Sequence, residues 1–216
     1  MPMVPSEVIA IDILLEPDGR MLERAESNNA RLRQAFPSGF ALDADHRPHI
    51  TLLQCFVAAK DLEALYSATG NVIGDAKVTN LLLRAVRCYY TPGPGVGVAG
   101  ICATLTPELQ KLQADVIAAA APFMVATATI DAFTAGHDNP AFDTALIDYV
   151  SGFVAHHAGA HFNPHVSTGV APTDYLDRMI AEPFPAFAFA PAGAAIFQLG
   201  PFGTAARLLK RWDVTG

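Results

Sequence analysis

Two stretches of this chain repeat one arrangement, and that repeat constrains the fold more than any other feature. In HRPHITLLQCF (46–56), His49 opens an apolar, strand-like run and Thr51 follows two residues later. In HFNPHVSTGV (161–170), His165 opens the run and Ser167 stands where Thr51 stood, at an offset of 116 residues. The surroundings repeat as well, in element order more than in sequence. The first half reads as a strand (Val8 to Leu15), a helix within 17–36, the strand His49 to Val57, a short helix from about Ala59 to Ala68, and strands in KVTNLLLRAVRCYY and VGVAGICATL. The second half opens with a helix after Thr106, whose hydroxyl suits an N-terminal cap, and continues with a helix near Ala141 to His156. The strand of His165 follows, then a short helix at Asp174 to Ala181 and strands at about Ala186 to Phe197 and Ala206 to Val214. Two copies, about 1–105 and 106–216, imply a single α+β domain of two lobes with a pseudo-two-fold site between them.

Composition narrows the class. Apolar residues make up 51% and charged residues 16% of 216, which excludes a disordered chain and allows a sizeable core. The longest uncharged apolar stretch, Val116 to Ile130, is broken by Pro122 and is shorter than the roughly 18–20 residues a membrane helix needs. The opening MPMVPSEVIAIDILLEP has acidic residues inside its apolar run and reads as a first strand, not a leader, so no membrane association and a cytoplasmic location are expected. Cys55, Cys88 and Cys102 lie in strand-like contexts without CxxC spacing and read as reduced core thiols. A net charge of −7 argues against DNA or a long polyanion spread over a basic face, but leaves room for a small phosphorylated ligand or the end of an RNA. TPGPGVG (91–97) leads into a strand and lacks a phosphate-loop pattern, so it reads as a hairpin connection.

The chemistry lies in the paired motif. Side chains alternate along a strand, so His49 and Thr51 project to one face and Ile50 and Leu52 to the other. His165 and Ser167 do likewise, opposed by Val166 and Thr168. Across a cleft, two imidazoles and two hydroxyls would converge. Cleaving a P–O bond at neutral pH needs a base for the attacking oxygen and an acid for the leaving one, and histidine serves in either role. The hydroxyls of Thr51 and Ser167 can donate to the non-bridging oxygens. The scheme calls for no metal or other cofactor. His46 and His161 form H-x2-H and H-x3-H groupings with the motif histidines, but a proline interrupts each pair and the carboxylate typical of metal sites is missing from the pattern. His156 and His157 read as a helix end. Arg47 could steer a phosphate, and Tyr89, Tyr90, Phe56 and Phe162 could stack on a base, but packing explains each as well.

HITL (49–52) and HVST (165–168) resemble the two His-x-Thr/Ser-x signatures of the 2H phosphoesterase superfamily, which includes the LigT-like 2′-5′ RNA ligases and cyclic phosphodiesterases. The C-terminal FQLGPFGTAARLLKRW is similar to the bacterial 2′-5′ RNA ligase-like group, so the resemblance spans most of the chain. It implies two ferredoxin-like antiparallel-sheet lobes around a central cleft, and activity on small cyclic nucleotide phosphates, RNA ends or 2′-5′ linkages. It places His49 and His165 as the acid–base pair and Thr51 and Ser167 on the phosphate. The chain departs from the pattern in one respect: the second half has no plain counterpart of the opening strand unless VATATIDAF (125–133) supplies it. The expected protein is a monomeric, metal-independent phosphoesterase, with the base and acid unassigned between the two histidines. Two readings stand beside it: a noncatalytic nucleotide or RNA-end binder, and a ligase acting on RNA ends.

Overall fold

The structure, a computed structural model, describes residues 7–44, 46–93, 95–134 and 140–212. Nine strands and six helices follow one another as β1 (Val8–Pro17), α1 (Gly19–Ala35), β2 (Ile50–Ala58), α2 (Leu62–Ala76), β3 (Leu83–Pro92), β4 (Val96–Ala103), α3 (Pro107–Ala120), β5 (Met124–Val125), α4 (Pro140–Ser151), α5 (Phe153–His157), β6 (His165–Pro172), α6 (Thr173–Ile180), β7 (Phe187–Phe189), β8 (Pro191–Leu199) and β9 (Ala205–Trp212) among the described residues. They build two antiparallel sheets, one of five strands in the order β5-β2-β1-β8-β9 and one of four in the order β6-β4-β3-β7. The expected α+β architecture of two antiparallel-sheet lobes is present, with a motif strand in each sheet.

Local chemistry explains where the helices start and stop. The Asp18 carboxylate accepts from the Met21 N–H at 3.0 Å and so caps α1. Its second oxygen accepts from the Ala190 N–H at 2.9 Å, tying that helix start to the β7–β8 junction. Thr106 caps α3 by accepting from Leu109 N–H at 3.2 Å, with Pro107 in the first turn. α2 runs past the expected end near Ala68 to Ala76. Its Gly70 is a packing glycine: a Cβ there would lie 2.6 Å from Trp212 Nε1, so the missing side chain lets the helix approach β9.

Three expectations change. The apolar run at 186–197 is two strands in different sheets, because the chain crosses between them at Ala190, ahead of Pro191. The helix expected near 141–156 is broken into α4 and α5 at Gly152. VATATIDAF supplies no opening strand: Val125 ends the two-residue β5 on the edge of the five-stranded sheet, and Ile130–Ala132 is a 3-10 turn. The place that β1 holds beside β2 is held beside β6 by β4. Val214, the expected end of the last strand, lies outside the described residues.

Each sheet therefore draws on both halves of the chain. The helices cross over too: α1 packs on β6 of the four-stranded sheet with α6, while α2 and α3 pack on each other and on the five-stranded sheet. One apolar cluster joins Ile11, Ile13, Leu52 and Leu109 to Ile101, Val166 and Phe189, so the two sheets share a core. No helix among the described residues is long and apolar enough to cross a membrane. Cys55 and Cys102 are buried, Cys88 is half-buried, and all three are free thiols.

Candidate active site

β2 and β6 carry the same irregularity at the same distance from their histidines. Along the β1–β2 pair, Thr51 faces Leu14 and Leu53 faces Ile13, which leaves Leu52 as the extra residue of a bulge. Along β4–β6, Ser167 faces Gly100 and Gly169 faces Ala99, which leaves Thr168 extra. A bulge shifts the alternation by one residue. Strict alternation would put Leu53 on the face of His49 and Thr51; the bulge puts Gln54 there, opposite Asp12.

A bulge leaves a carbonyl off the ladder, and in both strands a buried amide side chain meets it. Gln113 of α3 donates to Leu52 O at 3.2 Å, and Asn29 of α1 donates to Thr168 O at 2.9 Å. Each amide also holds the loop leading into the other motif strand. Asn29 binds Phe40 O and Leu42 N ahead of β2; Gln113 binds His157 O and Gly159 N ahead of β6. The approach to one histidine is thereby tied to the strand of the other.

The imidazoles are pinned alike. His49 Nδ1 lies 2.6 Å from Arg47 O and His165 Nδ1 lies 2.7 Å from Asn163 O. A nitrogen at that distance from a carbonyl carries the proton, which leaves each Nε2 for other partners. Both rings open on one cavity of about 430 Å³, together with Thr51, Ser167 and Gln54. All four residues expected from the sequence thus line a single cleft.

Their environments differ. Asp12 of β1 is fully buried. Its Oδ2 accepts from Thr51 Oγ1 at 2.8 Å and Gln54 Nε2 at 2.9 Å, and lies 3.3 Å from His49 Nε2. Burial pulls the His49 pKa down, but the Asp12 bond and charge, with the Arg47 carbonyl, outweigh it and leave the group above its ordinary value. Burial lowers His165, and the Asn163 carbonyl opposes this without reversing it. The Thr51 hydroxyl proton is engaged by Asp12, a role that alternation alone did not reveal.

Aromatic rings form the rest of the cleft: Tyr89, Phe162, Tyr149, Phe153 and Phe202. Tyr89 meets the His165 ring edge-on at 4.9 Å. Phe202 is 65% exposed and sits in left-handed backbone at φ 61°, in the turn before β9. His157, expected at a solvated helix end, lines the cleft against Tyr149 at 4.5 Å, and His161 lies nearby. Other candidates point elsewhere. Tyr90 donates to Asp177 at 2.7 Å, Phe56 packs in the core on Phe133, Arg47 covers the Phe197 ring at 6.0 Å, and His46 stacks on Phe40 beside Asp43. Among the described residues, no three His, Cys, Asp or Glu side chains are grouped to hold a metal ion.

Sequence reasoning passed over Asp12 and Gln54. The available signal was a polar residue in the middle of each of two apolar strands, VIAIDILL and LLQCF, because a buried polar group needs a partner.

No family model and no curated protein matches the chain. Solved structures do. The crystal structure of TT0787 of Thermus thermophilus superposes with a TM-score of 0.52 at 16% identity, covering 96% of this chain and 99% of that one. LigT of E. coli, crystallised with 3′-AMP, gives a TM-score of 0.47 at 14% identity over 97% of this chain and 100% of that one. Usb1 of Kluyveromyces marxianus gives 0.39 at 10% identity over 94% and 98%. The first of these likenesses shows the fold alone: the α+β arrangement of two antiparallel sheets is shared with that structure over nearly the whole of both chains.

Proposed function

We propose that this protein is a 2H-type phosphoesterase that opens a small cyclic nucleotide phosphate or cleaves a 2′-5′ phosphodiester, with His49 and His165 as its acid–base pair. One observation carries the reading. Two imidazoles at matching positions of two bulged strands are pinned by Nδ1 on backbone carbonyls, and both open on one cleft. Acid–base cleavage of a P–O bond needs such a pair, one group on each side of phosphorus, and each proton transfer is worth roughly a hundred- to ten-thousand-fold.

The lining supports a small substrate. None of the described residues around the cleft is Lys or Arg, so a single phosphoryl group is met by imidazole and hydroxyl donors, while Tyr89, Tyr149 and Phe202 offer ring faces for a base. Ser167 faces the cleft and can donate to a non-bridging oxygen; Thr51 can do so on turning from Asp12. Two acid–base groups and a hydroxyl donor meet the needs of the reaction without a cation, so chelation should leave turnover unchanged.

The test is a panel of 2′,3′-cyclic nucleotides, ADP-ribose 1″,2″-cyclic phosphate, 2′-5′ dinucleotides and cyclic-phosphate-ended RNA. The expected outcome is turnover of a mononucleotide-sized member, lost by about 10²–10⁴-fold in His49→Ala and in His165→Ala. Near-wild-type turnover in either variant would refute the two-histidine mechanism. Binding without turnover across the panel would make the protein a nucleotide binder.

A further inference from the structure

The two motif strands carry their histidine, hydroxyl and bulge at matching positions, so a strict pseudo-two-fold would leave the histidines equivalent. The neighbouring strands break that equivalence. Asp12 of β1 faces Gln54, five residues after His49. The corresponding pair, five residues after His165, is Val98 and Val170. One histidine therefore has a buried carboxylate beneath it, and the other has a valine.

Proton positions follow from the contacts. His49 Nδ1, 2.6 Å from Arg47 O, carries a hydrogen, and Nε2, 3.3 Å from Asp12 Oδ2, is also stabilised by carrying one. With hydrogens on both nitrogens, His49 is an imidazolium. The 3.3 Å contact is longer than the roughly 2.7–2.9 Å of a tight charge-assisted bond, so that proton is held without being locked away from the cleft. His165 Nδ1 carries a hydrogen toward Asn163 O, and among the described residues no carboxylate pairs with its Nε2, on which Asp12 acts by its charge alone and against that of His49; this favours a lone pair there.

We infer that Asp12 is a positioning residue that holds a proton on His49 Nε2 and so makes His49 the general acid and His165 the general base of ring opening, an inference that rests on reading the cleft as a phosphoesterase site. Water attacks phosphorus and gives its proton to His165 Nε2. The bond from phosphorus to one ribose oxygen breaks, and that oxygen takes the proton from His49 Nε2. Cyclic phosphodiester and water become a monoester, and the two histidines exchange protonation states, which solvent resets.

The surrounding titratable groups do not compete. Burial and the Asp12 charge push the Cys55 thiol up, and push the Tyr149 phenol up to about 12, so both stay neutral. His157 is lowered by burial and by His156 and His161. Arg47 turns its guanidinium to Phe197. The shifts of His49 above and His165 below the ordinary 6.5 agree with the geometry.

Histidine NMR titration of the full chain tests the proton, with resonances assigned from His49→Ala and His165→Ala. His49 should titrate above His165, and Asp12→Asn should lower His49 by about one to three pH units while moving His165 less. Val98→Asp, which places a carboxylate at the matching site on a partly exposed position, should raise His165 and keeps the test available if Asp12→Asn does not fold. A higher midpoint for His165 in the wild type overturns the inference.

The roles are read with 2′,3′-cyclic nucleotides carrying sulfur at either bridging position, since a thiolate leaves without protonation. His49→Ala should recover to within about tenfold of wild type on the analogue whose sulfur departs, whereas His165→Ala should stay about 10²–10⁴-fold down on all substrates. The opposite pattern overturns the assignment. If the wild type neither opens a cyclic phosphate nor cleaves a 2′-5′ phosphodiester, the phosphoesterase reading and both roles fall, and the NMR midpoints still decide whether Asp12 holds the His49 proton.

Discussion

At the scale of single residues, the hydroxyls of Thr51 and Ser167 look interchangeable in sequence and are not so in the fold. The Thr51 hydroxyl donates to the Asp12 carboxylate, which is buried and has one further oxygen, Oδ1, without a protein partner among the described residues. Thr51→Ala removes a donor from that carboxylate, so it should lower stability by about 1–3 kcal/mol, read by urea unfolding. Ser167→Ala should leave stability nearly unchanged and reduce kcat by about 10²–10³-fold, the usual loss for one donor to a developing oxyanion. Equal kinetic losses without a stability difference would show that Thr51 serves the phosphate directly. The pH profile follows from the two histidines. A base must be neutral, so kcat/KM rises as pH climbs through the value of His165, below 6.5. An acid must be protonated, so it falls as pH passes the value of His49, above 6.5. The result is a bell that straddles 6.5, with both limbs belonging to the coupled pair. A profile with a single limb would contradict it.

At the scale of elements, the bulges at Leu52 and Thr168 depend on helices that pack across the molecule. Asn29 lies on the helix that leads toward β2, yet it satisfies the bulge in β6. Gln113, on the helix after β4, satisfies the bulge in β2. Truncating either amide strands a buried carbonyl and releases a loop, so Asn29→Ala and Gln113→Ala should each cost about 1–3 kcal/mol. Because each amide joins the loop of one histidine to the strand of the other, kcat should fall together with stability. Unchanged unfolding midpoints in both variants would show that water replaces the amides. The bulge also sets how far alternation reaches along β2: it holds for His49 and Thr51, and the side chain that joins them beyond the slip is Gln54. Period-two reasoning holds for a regular ladder, and nothing in LLQCF marks the residue at which the ladder slips. The run at 186–197 failed similarly, since an apolar stretch reads the same whether it stays in one sheet or passes between two.

At the scale of the whole molecule, interleaved strands make the sequence halves incomplete. The five-stranded sheet needs β8 and β9 beside β1, and the four-stranded sheet needs β6 and β7 beside β4 and β3. Residues 1–105 expressed alone should therefore show no cooperative unfolding, and residues 106–216 likewise. A cooperative transition in either half would mean that each can close a sheet by itself. Charge acts at this scale too. With 14 basic and 21 acidic residues and a cleft without Lys or Arg among its described lining, substrate affinity should fall only shallowly between about 50 and about 200 mM salt, unlike a many-phosphate contact. A steep slope with preference for long RNA would overturn the small-substrate reading.

What the sequence determined by itself was the pair. His49 with Thr51 and His165 with Ser167, each at the mouth of an apolar run and each within the same order of elements, pointed to two strands meeting across a cleft, because period-two alternation and repeated topology are local properties written residue by residue. Tertiary structure alone decided what lies beneath each histidine. Asp12 reaches His49 from a different strand, 37 positions earlier in the chain, and Val98 takes the matching place by His165 through a pairing register that no local pattern encodes. The proton affinity of an imidazole is set by the charges and carbonyls within a few ångströms of it, so the difference between the histidines of two matching motifs exists only once the chain has folded.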